Sequence, residues 1–219
     1  MDYKTKTGVT GAMLDMMPQI IDKLFPLTLT VSRVNGNIET GQSIIPQASF
    51  VVKDKDGVDV TAQSVVSVTG ATVNMSTKKW TANASITETT SFTTKVNYNG
   101  QEKTASTQWV VADYVYYGAV STLNITEAGI KSLTKTISTE HTRDIKAATG
   151  QYIVYCIPKS NLNGKILKIT DSQNNDYASQ TVVDQTLKFS RQNGDKVDYY
   201  CIYTNQKSGV DWTFKIVEA

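Results

Sequence analysis

Trp109-Val-Val-Ala-Asp-Tyr-Val-Tyr-Tyr-Gly118 decides how this chain is divided. Aromatic and β-branched residues fill it, as they fill strands. It reads as the last strand of one β-module running directly into the first strand of another. No Pro/Gly/Ser linker interrupts it, so the two modules are expected to keep a nearly fixed angle.

Upstream of it the hydropathy alternates. Leu27, Leu29 and Val31 alternate with Thr28, Thr30 and Ser32, the pattern of a half-buried strand ahead of the turn signal Asn35-Gly36. Ala48, Phe50 and Val52 predict the next strand, ended by Asp54-Lys55-Asp56-Gly57, which reads as a hairpin turn rather than a metal loop. Val65–Val68, the region around Trp80, and Phe92, Val96 and Tyr98 follow. Asn99-Gly100 is the strongest short hairpin signal, and the return strand runs to Trp109. Strands at this spacing predict an immunoglobulin-like β-sandwich over 26–112, without the Cys…Trp…Cys signature of antibody domains.

Downstream, 113–219 reads as a second β-sandwich. Strands are expected at Gln151–Ile157, Lys165–Thr170, Gln180–Ser190, Lys196–Thr204 and Trp212–Val217. Thr126–Leu133 suits a short helix, and Thr134–Thr142 a strand. Ile153-Val-Tyr-Cys-Ile157 echoes Tyr199-Tyr-Cys-Ile-Tyr203, and each is followed by a polar turn and another strand. The echo predicts two similar hairpins. Cys156 and Cys201 are expected as reduced core thiols, because a secreted disulfide scaffold carries more cysteines; a bridge requires the two strands to be neighbours.

Residues 1–25 differ from both modules. Met13, Leu14, Met16, Met17, Ile20, Ile21 and Leu24 recur at helical spacing. Pro18 suits the first turn of a helix near 16–24, with Asp15 as N-cap. The fold class is therefore mainly β: two β-sandwich modules, the first immunoglobulin-like, preceded by a short N-terminal helix. Met13, Met16, Met17, Ile20, Ile21 and Leu24 are the expected assembly interface, since so short a helix needs a surface to lie against.

Composition points away from several functions. Charged residues make up 19% of the 219 residues and the net charge is +2, so no nucleic-acid footprint is expected. Mean hydropathy is −0.27, and no apolar run approaches the roughly 20 residues of a spanning helix, so no membrane insertion is expected. The first residues lack the apolar core of a secretion signal, which predicts synthesis in a cytoplasm. His141 is the only histidine. It sits in a polar stretch with no nucleophile beside it, and two Cys with one His are too few for a structural zinc site. Phosphate-cradling loops and the Gly-x-Ser-x-Gly elbow are missing from the sequence. Asp171–Asp176 clusters oxygen ligands without EF-hand spacing and reads as a surface turn. No enzyme activity, cofactor or metal is expected. Of the strand aromatics, Trp80, Trp109, Tyr116, Tyr117 and Trp212 suit the core. Trp80, Tyr116, Tyr117 and Trp212 are also the candidates for a sugar-binding platform.

Several of these stretches occur together in a known group. Lys23-Leu-Phe-Pro26, Leu27-Thr-Leu-Thr-Val-Ser32, Glu39-Thr-Gly41, Val115-Tyr-Tyr-Gly118, Tyr152-Ile-Val-Tyr-Cys-Ile-Pro-Lys-Ser160 and Trp212-Thr-Phe-Lys215 resemble structural proteins of tailed bacteriophages and prophages of Bacteroides and its relatives. The resemblance covers almost the whole chain. It implies a non-enzymatic virion component, a head fibre, decoration or tail-associated subunit, made in the host cytoplasm. Other virion proteins and further copies of itself in a homo-oligomer are the implied partners. The competing expectation is a carbohydrate-binding adhesin module for host surface glycan.

Overall fold

The computed structural model describes residues 27–137 and 142–218. The helix expected over 16–24 and His141 lie outside them. The described chain is mainly β and divides into two compact units. The first contains residues 27–36 and 44–109; the second contains 37–43 and everything described from Val110 onward. The chain therefore passes between units after Gly36, before Ile44 and after Trp109.

In the first unit, strands β1 (Thr28–Arg33), β2 (Gln47–Lys53), β4 (Ala71–Asn74) and β5 (Lys79–Ala82) make an antiparallel sheet ordered β1-β2-β5-β4. Strands β3 (Val65–Val68), β6 (Thr90–Tyr98) and β7 (Gln101–Trp109) make a second, ordered β3-β6-β7. Alternation aims Ala48, Phe50 and Trp80 of one sheet at Val68, Phe92 and Trp109 of the other. The rings of Trp80, Phe92 and Trp109 meet at centroid distances of 5.2–5.9 Å. The Trp109 indole N–H reaches Asn35, donating to its side-chain oxygen at 2.9 Å. Asn99 (φ 51°) and Gly100 (φ 82°) both adopt the left-handed conformation that a two-residue hairpin turn requires.

In the second unit, β8 (Tyr114–Val120), β9 (Thr134–Ile137), β11 (Tyr152–Pro158), β13 (Thr181–Asp184), β14 (Lys188–Ser190) and β15 (Lys196–Thr204) form one sheet. Its path is β13-β15-β11-β8-β9, with β14 also on β15. The other sheet is β10-β16-β12, from Arg143–Ala147, Trp212–Glu218 and Leu167–Asp171 respectively. Between them lies a core built on Ile153, Tyr155, Ile157, Ile169, Ile202 and Ile216. On its other face the larger sheet buries Tyr116, Val154, Cys156, Phe189, Tyr199 and Cys201 beneath Ile130 of a short helix, α1 (Glu127–Lys131).

Three expectations change here. The sequence echo does not mark two hairpins: β11 pairs with β15, whereas the strands that follow them, β12 and β16, pair in the opposite sheet. Each repeat is an arch from one sheet to the other. Pro158 and the four-residue helix α2 (Lys159–Leu162) end β11 and carry the chain across. The strand expected over Gln180–Ser190 is broken into β13 and β14, because Asp184 accepts N–H and O–H bonds from Thr186 and turns the backbone. Cys156 and Cys201 are bonded rather than reduced. The two arches put them in direct register, Cα atoms 4.1 Å apart, with S–S 2.13 Å.

Candidate functional site

The expected assembly residues Met13, Met16, Met17, Ile20, Ile21 and Leu24 lie outside the described residues. The aromatic candidates do not share a surface. Trp80 is wholly buried in the first unit. Tyr116 is 3% exposed in the second, facing Phe189 and Tyr199 at 5.8 and 6.0 Å. Burial pushes its phenol up to about 12. Both are therefore withdrawn from any sugar platform, since exposing either would open an aromatic core. Tyr117 and Trp212 pack against the other core of the second unit and stay partly exposed. The Arg143 guanidinium lies 4.3 Å over the Tyr117 ring. Trp212 borders a shallow depression with Lys146, Ser172 and Asp211.

Charged side chains converge where residues 37–43 cross the second unit. Ile38 bridges in parallel to Val111, donating its N–H to Val110 O and accepting from Ala112 N, each at 3.2 Å. This strap brings in Glu39, 5% exposed, whose carboxylate accepts the Gln192 N–H at 2.9 Å. The Gln42 amide donates to the Gln192 side-chain oxygen. Beside them Asp113, 7% exposed, is gripped through both oxygens by Arg191, at 2.6 and 2.8 Å. Gly41 has φ 88° and is packed so closely on Asn193 that an added Cβ would collide with the amide. Sequence reading missed this cluster. Its members are far apart in the chain, and Glu39-Thr-Gly41 gives no periodic signal.

A second cluster anchors α1. Thr126 caps it, its hydroxyl accepting the Gly129 N–H at 3.2 Å. Glu127 accepts from Lys131 at 2.8 Å and from the Ser190 N–H at 2.7 Å. Lys131 and the Ser190 amide hold its carboxyl down at about 2, against opposition from burial. These carboxylates and cations are engaged with one another and with backbone; the cluster ties elements together.

The second unit also contains a recess of about 340 Å³ between the end of β15, the 205–210 loop and the segment before β13. Its floor is Ile153 and Phe214, with Tyr177 edge-on to Phe214 at 5.1 Å. Gln151, Gln180 and Gln206 stand around it, with Lys207 at the rim. The loop is held in shape by the Ser208 N–H donating to Gln151 O and the Gly150 N–H to Ser208 O, both at 2.8 Å. No sequence signal marked this recess, because glutamines on three separate loops and turns carry no spacing motif.

The Asp171–Asp176 stretch is a turn. Asp171 Oδ1 accepts the N–H groups of Gln173 and Asn175 at 2.8 and 2.9 Å, and its Oδ2 accepts the Asn175 side-chain amide at 2.8 Å, so both oxygens are committed within the turn. Among the described residues, no group of three or more His, Cys, Asp or Glu side chains could hold a metal ion. No helix among them is long and apolar enough to cross a membrane. No protein-family model matches this chain, and no curated protein matches its sequence.

Proposed function

We propose that this protein is a non-enzymatic structural component of a bacteriophage virion, a head fibre, decoration or tail-associated subunit. In this reading the N-terminal segment docks it, through Met13, Met16, Met17, Ile20, Ile21 and Leu24, to further copies or to other virion proteins. The observation that carries the reading is the use made of the charged groups. Glu39, Asp113, Arg191 and Glu127, the buried and half-buried charges of the strap and of the α1 anchor, are spent on bonds that tie loops and strands together.

We further read the first unit as an immunoglobulin-like sandwich. Its sheets, β1-β2-β5-β4 and β3-β6-β7, follow the seven-strand order of constant-type immunoglobulin domains, which supports this. The buried disulfide supports a working location outside the reducing cytoplasm, reached by release of particles after synthesis.

The test has two arms. Mass spectrometry of purified particles should find this chain at a stoichiometric copy number. A chain beginning at Leu27 should melt at the same temperature as the full chain yet sediment as a smaller species. Unchanged sedimentation with a sharply lower melting temperature would instead make the N-terminal segment part of the core.

A further inference from the structure

We propose that the recess formed by Tyr177, Phe214, Gln151, Gln180, Gln206 and Lys207 binds a neutral sugar residue. The inference is independent of the virion reading: particle composition decides that one, and sugar titration decides this one.

Size and chemistry both select the ligand. About 340 Å³ lies at the low end of small-molecule sites, enough for one or two rings rather than a long chain. The apolar surface a pyranose C–H face requires comes from the partly exposed Tyr177 ring and from Val210, 56% exposed, over the buried side chains of Ile153 and Phe214. The walls are carboxamides. Among the described residues, the side chains of Gln180 and Gln206 find no hydrogen-bond partner. Gln151 commits only its oxygen, to the Ala148 N–H at 2.8 Å, which leaves its NH₂ group for a ligand.

A carboxamide offers a donor and an acceptor together, and adjacent sugar hydroxyls need both. A phosphate or carboxylate ligand would call for several cations or a forked guanidinium. Among the described residues, Lys207 is the one charged side chain lining the recess, and its ammonium stands 5.7 Å from the Tyr152 ring. The Ser208 backbone bonds hold the loop in place before any ligand arrives, which lowers the ordering entropy of binding.

Amide-resolved NMR on the full chain tests this. Glucose, galactose and N-acetylglucosamine are titrated to millimolar levels, with inorganic phosphate as the anionic comparison. At least one sugar should give saturable shifts at the Gln180 and Gln206 side-chain amides and at the Ser208 and Gly209 N–H groups, and phosphate should give none. Gln180→Ala and Gln206→Ala should each weaken binding about tenfold, a loss of about 1.4 kcal/mol, with the rest of the spectrum unchanged. Gln206 is on an exposed loop, so its variant tests the site without disturbing the fold. The inference is overturned by an absence of saturable shifts with all three sugars. It is overturned equally by shifts centred elsewhere, by a response to phosphate alone, or by undiminished affinity in both variants.

Discussion

Cys156 and Cys201 stand directly opposite each other on β11 and β15, both fully buried, and their sulfurs are bonded across the middle of the larger sheet. The bond closes a loop spanning 45 residues, from one arch to the other. Cys156→Ser with Cys201→Ser should lower the unfolding free energy by about 2–4 kcal/mol, read by urea denaturation. Thiol titration of the denatured, unreduced protein should find no free sulfhydryl. Two titratable thiols in the purified, unreduced protein would contradict the bridge.

The Asp113–Arg191 pair makes a second prediction. Arg191→Met leaves Asp113 buried without its fork and should destabilise the second unit by on the order of 3 kcal/mol. Asp113→Leu combined with Arg191→Met should recover most of that loss, because no lone charge is then buried. Equal losses in the single and double variants would show that the pair acts by shape rather than by charge.

Acid should act through Glu127. Its folded carboxyl is held at about 2, below the ordinary value of 4.5. Its contribution is therefore fully present above about pH 4.5 and is lost as pH falls from there through about 2. The Glu127 carboxyl signal should titrate with a midpoint near the lower value. In Glu127→Gln, the acid dependence of the Ser190 amide signal should disappear.

Removing the Glu39 carboxylate should free the strap. Glu39→Ala leaves the Gln192 N–H without its acceptor and should cost about 1–3 kcal/mol. Hydrogen exchange should accelerate first at Ile38 and Ala112, whose amide bonds hold the strap to the 110–112 segment. Exchange that speeds up evenly through β11 and β15 would mean that the strap is not a separate element.

What the sequence revealed follows from how local each signal is. The alternation of Ala48, Phe50 and Val52 and the Asn99-Gly100 dipeptide depend on neighbouring residues, and β2 and the β6–β7 hairpin appear where they pointed. The strand expected over Lys196–Thr204 is β15 residue for residue. Whether two strands pair or arch is decided by contacts with strands far away, so the Cys156 and Cys201 echo was visible while its geometry was not. The recess and the strap were silent for the same reason. Glu39 meets Gln192 across 153 positions, and Gln151 and Gln206 line one recess because they flank β11 and β15, which are neighbours.

The strap also sets an order of events during synthesis. Domains form from the N-terminus as the chain emerges. The seven described strands of the first unit are available once Trp109 has left the ribosome. Residues 37–43 emerge among them, yet their partner Gln192 is still far from being made. The first unit must therefore close around an excluded loop whose acidic residue waits in water. Ile38 can bond to the 110–112 segment as soon as that emerges, whereas Glu39 meets the Gln192 N–H only when the turn after β14 appears. A nascent chain halted before Arg191 should hold a finished first unit with its strap tethered at Ile38 alone and more open to protease, and the emergence of Gln192 should seal it.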